Sequence, residues 1–425
     1  LERVFSIAKD HQLQAIQQGL SDPHRGGRTV SVLEFSCDSG PIRKVVYKPK
    51  DMSVDVAYQS VLKDLNENSD LVPLRQLSIQ AMDGYGYMEY VPHRFACNDS
   101  ELEQFYVNAG RLSAVLHVLG CTDCHHENLI ACGDQLILID TETLLEADVH
   151  DHIGNQDTVS SAELSAIQKR FRQSVLRSGL LPQWMFVGQS KWAIDISALG
   201  IEVPSKNTQN IPGWLGLNSD GMMMGSVEKA AEVPTSLPVG IGTNNPFQRF
   251  LDVFCQGFEQ QCHALICRRD KWLESDGVLN QFQGLRRRIV LRATRVYFLI
   301  QRQQLEPASL RNPIAHSIML EQLAKSFLLA ESKPLHWPVF AAEVRQMQQL
   351  DIPFFTHAID SDILDLDENA TPLRAYIRTS GLHAACQRLR SLDNDEIAFQ
   401  LKLIRGSCNA RQLKVNMANQ NTVQA

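Results

Sequence analysis

Cys121-Thr122-Asp123-Cys124-His125-His126-Glu127-Asn128-Leu129-Ile130, followed by Gln135-Leu136-Ile137-Leu138-Ile139-Asp140, decides how this chain is read. Asp123 precedes Asn128 by five residues, and Asp140 closes a short apolar strand twelve residues after Asn128. Phosphoryl transfer needs such a set. One carboxylate orients or deprotonates an acceptor hydroxyl, and an amide five residues later holds a metal. A carboxylate at the end of the next hairpin then bridges metal and nucleotide phosphates. All three groups must converge on one phosphoryl group, whose transfer depends on positioning and charge neutralisation.

The same residues admit rival chemistry. Cys121-x-x-Cys124-His125 fits haem attachment, and a Cys/His cluster can hold zinc. Haem attachment belongs to exported proteins, and residues 1–30 contain no apolar signal segment. A structural zinc site needs four ligands, and the sequence has no second Cys-x-x-Cys. A polar loop without chemistry is the remaining alternative for this segment taken alone.

Composition narrows the class. A chain of 425 residues, 44% hydrophobic and 21% charged, can bury one large core or two to three domains. No apolar run is long enough to span a membrane. A net charge of −7 provides no electrostatic footprint for nucleic acid. Ten scattered cysteines suggest reduced thiols and a cytoplasmic setting.

Along the chain, a loose apolar face (Val4, Ile7, Ala8, Leu13, Ile16, Leu20) predicts a helix over residues 2–20. Strands are expected at 29–36, 42–48, 74–82 and 86–91, with a helix at 53–65. Residues 1–92 thus read as a small β-rich lobe. A helix over 101–119 opens a larger lobe, 93–408, followed by a polar tail, 409–425. Residues 204–246, rich in Gly, Asn, Ser, Pro and Met, read as a long loop insertion. Further helices are expected at 247–265, 292–303, 317–331, 338–350, 379–392 and 394–404.

Lys48 leaves an apolar strand, where its ammonium can meet nucleotide phosphates or simply solvent. Asp123 is the candidate for the substrate hydroxyl, and His125 is either catalytic or a supporting core histidine. Asn128 and Asp140 are candidate Mg²⁺ ligands, since that ion prefers hard oxygen donors. Glu142 falls two residues beyond Asp140, on the same face if the strand continues, and is a candidate ligand, base or cap. No G-x-G-x-x-G precedes Lys48, and no His-Arg-Asp precedes the catalytic segment. Both departures argue against an ordinary protein kinase.

Several separated segments resemble the dehydratase domain of class II lanthipeptide synthetases. They are Asp22-Pro23-His24, Val46-Tyr47-Lys48-Pro49-Lys50, Asp123 to Asn128, Ile139 to Leu144, Arg288 to Tyr297 and Asp351 to Phe355. The likeness runs in order from about Leu1 to about Cys408. It implies an α+β, kinase-like, two-lobed fold similar to lipid kinases, with a small β-rich lobe and a larger mainly helical one. It also implies ATP-dependent phosphorylation of Ser or Thr in a ribosomal precursor peptide carrying a leader. Elimination to dehydroalanine or dehydrobutyrine would follow. On this resemblance Lys48, Asn128, Asp140 and Glu142 form the nucleotide site, with Mg²⁺ on Asn128 and Asp140. Asp123 and His125 serve transfer, Asp22 and His24 match a small-lobe Asp-x-His, and Arg288 and Thr294 match a pair linked to elimination. Were 288–294 one helix, Arg288 and Thr294 would stand about 120° apart. Either the helix starts after Arg288, or Arg292 shares its role. Family members continue into a zinc-containing cyclase and carry additional amino-terminal sequence. With no initiator Met before Leu1, this sequence is expected to be a fragment of a longer synthetase. A kinase without elimination and a non-catalytic peptide-binding pseudoenzyme are the alternatives.

Overall fold

The computed structural model describes residues 1–37, 40–149, 170–186, 193–327, 332–367 and 370–422. It is a mixed α+β chain. It opens with one helical turn, α1 (Glu2–Phe5), which Ser6 ends in the left-handed conformation, φ 55°. The long helix expected through residue 20 is not formed. Gln12–Gln17 is instead a strand, β1, paired antiparallel with β2 (Ser31–Ser36). The apolar spacing there was too loose to hold a helix against the backbone hydrogen bonds that the free edge of β2 offers. Leu13 and Ile16 remain exposed on this edge strand.

Strands β3 (Arg43–Lys48), β4 (Ile79–Met82) and β5 (Tyr85–Glu89) complete an antiparallel sheet in the order β1-β2-β3-β5-β4. β3 is central, so Lys48 leaves a strand bonded on both sides, opposite Gly86 of β5. Helix α2 (Ser53–Glu67) buries Val54, Tyr58, Val61, Leu62 and Leu65 at helical spacing.

Helix α3 (Asp99–Leu119) carries the main core. Asn98 caps it, its side chain accepting from the Glu101 N–H at 2.9 Å, and Asp99 and Glu101 favour its positive end. From Asn108 to Leu119 every side of α3 is buried. It crosses α4 (Leu251–Leu273) at a close approach where Gly110 faces the Phe254 carbonyl and Gly257 faces the Val107 carbonyl. A Cβ at either glycine would collide with backbone.

The remaining strands form two-stranded ladders. These are β6 (Leu129–Cys132) with β7 (Gln135–Leu138), and β8 (Asp148–Val149) with β15 (Ile377–Thr379). β9 (Trp184–Phe186) pairs with β10 (Ala193–Asp195), β11 (Thr208–Leu215) with β12 (Met223–Ala230), and β13 (Arg286–Ile289) with β14 (Phe355–Ala358). The β11–β12 hairpin corrects the expectation of a loop over 204–246. Its turn-forming residues cluster at Gly216–Gly221, between two strands that an averaged composition concealed.

Helices α5 (Thr294–Gln304), α6 (Pro307–Leu310) and α7 (Pro313–Leu320) follow β13. The helix expected at 317–331 begins earlier, at Pro313 after the Asn312 cap, and tightens to a 3-10 helix over Glu321–Phe327. Its expected last residues, 328–331, lie outside the described ones. Helices α8 (Trp337–Gln348), α9 (Gly381–Ser391) and α10 (Asn394–Thr422) complete the chain. The backbone of α10 continues through residues 409–422 of the segment expected to be a polar tail. No described helix is long and apolar enough to cross a membrane.

Candidate active site

The loop that carries Asp123 begins where α3 ends. Gly120 takes the left-handed conformation, φ 68°, and turns the chain, while Cys121 N–H still reaches the Leu116 carbonyl at 3.0 Å. Cys121 and Cys124 point into the core with sulfurs 2.7 Å apart, and Cys124 N–H donates to Ser178 O at 2.7 Å. The cysteines therefore anchor the loop. Asn128 ties it internally, its amide donating to Asp123 O at 2.8 Å and Asp123 Oδ2 at 3.2 Å.

The β6–β7 hairpin explains the spacing of twelve. Leu129 pairs with Leu138, so the two ends of the hairpin lie side by side, and Ile139 N–H donates to Asn128 O at 3.0 Å. Asn128 and Asp140 emerge together. Glu142 follows at once, its N–H donating to Asp140 Oδ1 at 3.0 Å.

All ten residues singled out in the sequence line one cavity of about 1180 Å³. Asp22 and His24 come from the segment before β2, Lys48 from β3, and Asp123, His125 and Asn128 from the loop. Asp140 and Glu142 lie beyond β7, Arg288 on β13 and Thr294 at the start of α5. The helix thus begins after Arg288. Arg292 pairs elsewhere, with Glu343 Oε1 at 2.7 Å and Leu323 O at 2.9 Å.

Charge pairs organise the cavity walls. Lys48 is buried, donates to Ile139 O, and lies 3.9 Å from Asp55. Lys50 Nζ is 2.8 Å from Asp140 Oδ1 and 3.2 Å from Glu142 Oε1. Burial disfavours the Lys50 ammonium, but Asp140, Glu142 and Asp55 outweigh it and raise its pKa. Burial likewise opposes the Asp140 and Glu142 charges, yet the neighbouring cations hold both carboxyls below their ordinary values. Glu142 Oε2 also meets Arg288 Nη1 at 3.1 Å.

His125 Nε2 is 3.1 Å from Asp123 Oδ1, and that carboxylate outweighs burial to raise the histidine pKa. His24 behaves oppositely. Its Nδ1 donates to Ile352 O at 2.7 Å, and burial together with Arg288 lowers its pKa. The Phe354 ring lies beneath this corner, 5.2 Å from the His24 ring, with the Arg25 guanidinium 4.4 Å and Arg288 5.3 Å from its centroid.

Residues 1–358 match a family described as a domain of unknown function, DUF4135. The chain belongs to the DUF4135 family. This DUF4135 chain is also 23% identical, over 435 residues and 96% of its length, to the lacticin 481/lactococcin biosynthesis protein LcnDR2 of Lactococcus lactis subsp. lactis. It spans 42% of that relative's length. All ten cavity residues fall inside the DUF4135 match.

Sequence reasoning missed several wall residues of the DUF4135 chain. Lys50 is the main one, although Lys48 and Lys50 stand at a strand's two-residue spacing and face the same way. Asp351, which does not line the cavity, stood in a resembling segment but with no role given to it. Its carboxylate accepts from Gly26 N–H at 2.7 Å and Gly27 N–H at 2.9 Å, fixing the turn that carries Asp22 and His24. No local pattern announces a contact across more than three hundred residues.

Proposed function

We propose that this chain is the dehydrating unit of a lanthipeptide synthetase. It would phosphorylate Ser or Thr of a precursor peptide and then eliminate phosphate in the same kinase-like cavity. The convergence of two sets of groups carries the reading. Lys48, Asp123, Asn128 and Asp140 suit phosphoryl transfer, and Asp22, His24, Arg288 and Thr294 line the same cavity. Relatedness to a lacticin 481/lactococcin biosynthesis protein supports the same substrate class.

The donor set fits a nucleotide with magnesium. Among the described residues no three His, Cys, Asp or Glu side chains form a metal cluster. Mg²⁺ needs none, since it takes one or two protein oxygens and completes its shell with phosphates and water. Asn128 and Asp140 would hold it, with Lys48 and Lys50 beside the phosphates. Once bound, Mg·ATP supplies the phosphoryl group and neutralises charge as it moves. Asp123 receives the acceptor hydroxyl and its proton, and His125 keeps that carboxylate oriented.

Elimination breaks the α C–H bond, forms the C=C bond and releases phosphate with the electrons of the breaking Cβ–O bond. Among possible bases, Glu142 is committed to Lys50 and Arg288, and His125 to Asp123. His24 is better placed. With Nδ1–H given to Ile352 O, its Nε2 keeps a lone pair, and its lowered pKa keeps the ring neutral near pH 7. Arg288 and the first-turn amides of α5 at Thr294 receive the departing phosphate.

Mass spectrometry of a Ser/Thr-containing precursor incubated with the chain and Mg·ATP tests this reading. Loss of water from the peptide is expected. An unmodified peptide, with nucleotide binding demonstrated in the same sample, would contradict it.

A further inference from the structure

A second cavity, about 790 Å³, shares Glu146 with the wall of the catalytic one. Its lining is basic: Arg172, Arg177, Arg378, Arg388 and Arg390 against two carboxylates, Glu146 and Asp148. Those carboxylates already have partners. Glu146 Oε2 accepts from Arg287 Nη2 at 2.8 Å and from Thr122 at 3.4 Å, and Asp148 lies 3.8 Å from Arg378.

Two of the arginines are incompletely satisfied. Arg388 is anchored by Nε, which donates to Val118 O at 3.0 Å near the end of α3. Its Nη2 is buried with no hydrogen-bond partner among the described residues, and so is Nε of Arg177. Burial and the Arg177 charge pull the Arg388 pKa down to about 9, and burial lowers that of Arg177 as well. Guanidinium groups gathered on one cavity wall repel one another, and an anion bound among them relieves that repulsion. The catalytic reading uses neither side chain.

We propose that this arginine-lined cavity binds a phosphate-class oxyanion, either inorganic phosphate or the phosphoryl group of a phosphopeptide. Guanidinium forks match the oxygens of such an anion in pairs. The source of the anion rests on the dehydratase reading, in which phosphate is the product released next door. Its binding does not, because it requires neither nucleotide nor precursor.

Titration of inorganic phosphate into the chain, followed by calorimetry and by phosphorus NMR line broadening, tests the proposal. Saturable binding is expected. It should weaken about tenfold in Arg177→Gln, the loss expected of one charge-assisted hydrogen-bonding group, and persist in Arg288→Ala of the catalytic cavity. Arg390→Gln, at an exposed rim position, provides a second variant should Arg177→Gln fold poorly. A phosphoserine peptide that displaces phosphate identifies phosphopeptide as an occupant, whereas failure to compete leaves free phosphate as the ligand. Absence of saturable binding overturns the site. So does binding lost in Arg288→Ala but unchanged in both Arg177→Gln and Arg390→Gln, which would place the phosphate in the catalytic cavity. Either result leaves the dehydration assay unaffected.

Discussion

Lys50 Nζ stands 2.8 Å from Asp140 Oδ1, so the proposed metal-binding carboxylate is held by an ammonium from the neighbouring sheet. The same ammonium reaches Glu142, which in turn meets Arg288. A chain of charges therefore links the groups assigned to transfer with those assigned to elimination.

Acid stability reports on that link. Asp140 and Glu142 have folded pKa values below their unfolded ones. Their contribution is therefore complete above the unfolded carboxylate range, about pH 4, and is lost as pH falls through the folded values. Lys50→Met removes a principal cause of the depression. Acid unfolding followed by circular dichroism should begin at higher pH. Urea unfolding at neutral pH should show a loss of ~2 kcal/mol, modest for a buried pair because Asp140 is partly exposed. An unchanged acid transition would count against the pairing.

The elimination half-reaction should carry the signature of His24. Its folded pKa lies below the usual value of about 6.5, so the neutral ring persists below that pH. Phosphate release from a preformed phosphopeptide should fall with acidification through an inflection that lies below pH 6.5. An inflection at or above 6.5 would exclude His24 as the base. His24→Phe should leave phosphopeptide unprocessed.

Much of this site was legible in the sequence because short, stiff elements set its spacing. The β6–β7 hairpin alone brings Asn128 and Asp140 together, and an apolar strand delivers Lys48. The β1 strand was not legible, because its pairing depends on an edge of β2 that only the assembled sheet offers. The β11–β12 hairpin was hidden by averaging over its turn. Asp351 and Lys50 escaped because their roles are tertiary: one carboxylate reaches two distant amides, and one ammonium spans two carboxylates.

The close crossing of α3 and α4 packs the helix that leads into the Asp123 loop. Gly110→Ala would push Cβ into the Phe254 carbonyl, and relief requires the helices to separate. A loss of ~2–3 kcal/mol in urea unfolding is expected, typical of an overpacked core. Wild-type stability in this variant would mean that the helices are not so tightly apposed.

Asp351→Ala should free the turn that carries Asp22 and His24. Two amide donors lose their acceptor, at ~1–2 kcal/mol of stability. Elimination from preformed phosphopeptide should slow. Mg·ATP binding, measured by calorimetry, should be retained, because Lys48, Asn128 and Asp140 make no contact with Asp351 in the hydrogen-bond pattern. Equal loss of both would contradict a role confined to this turn.

On the dehydratase proposal one cavity performs both half-reactions with separable residues. Product analysis of Arg288→Ala, with Mg·ATP and precursor peptide, tests it most directly. A peptide that gains phosphate and keeps it is expected, because transfer proceeds while the leaving group loses its guanidinium partner. A fully dehydrated product from Arg288→Ala would contradict the claim.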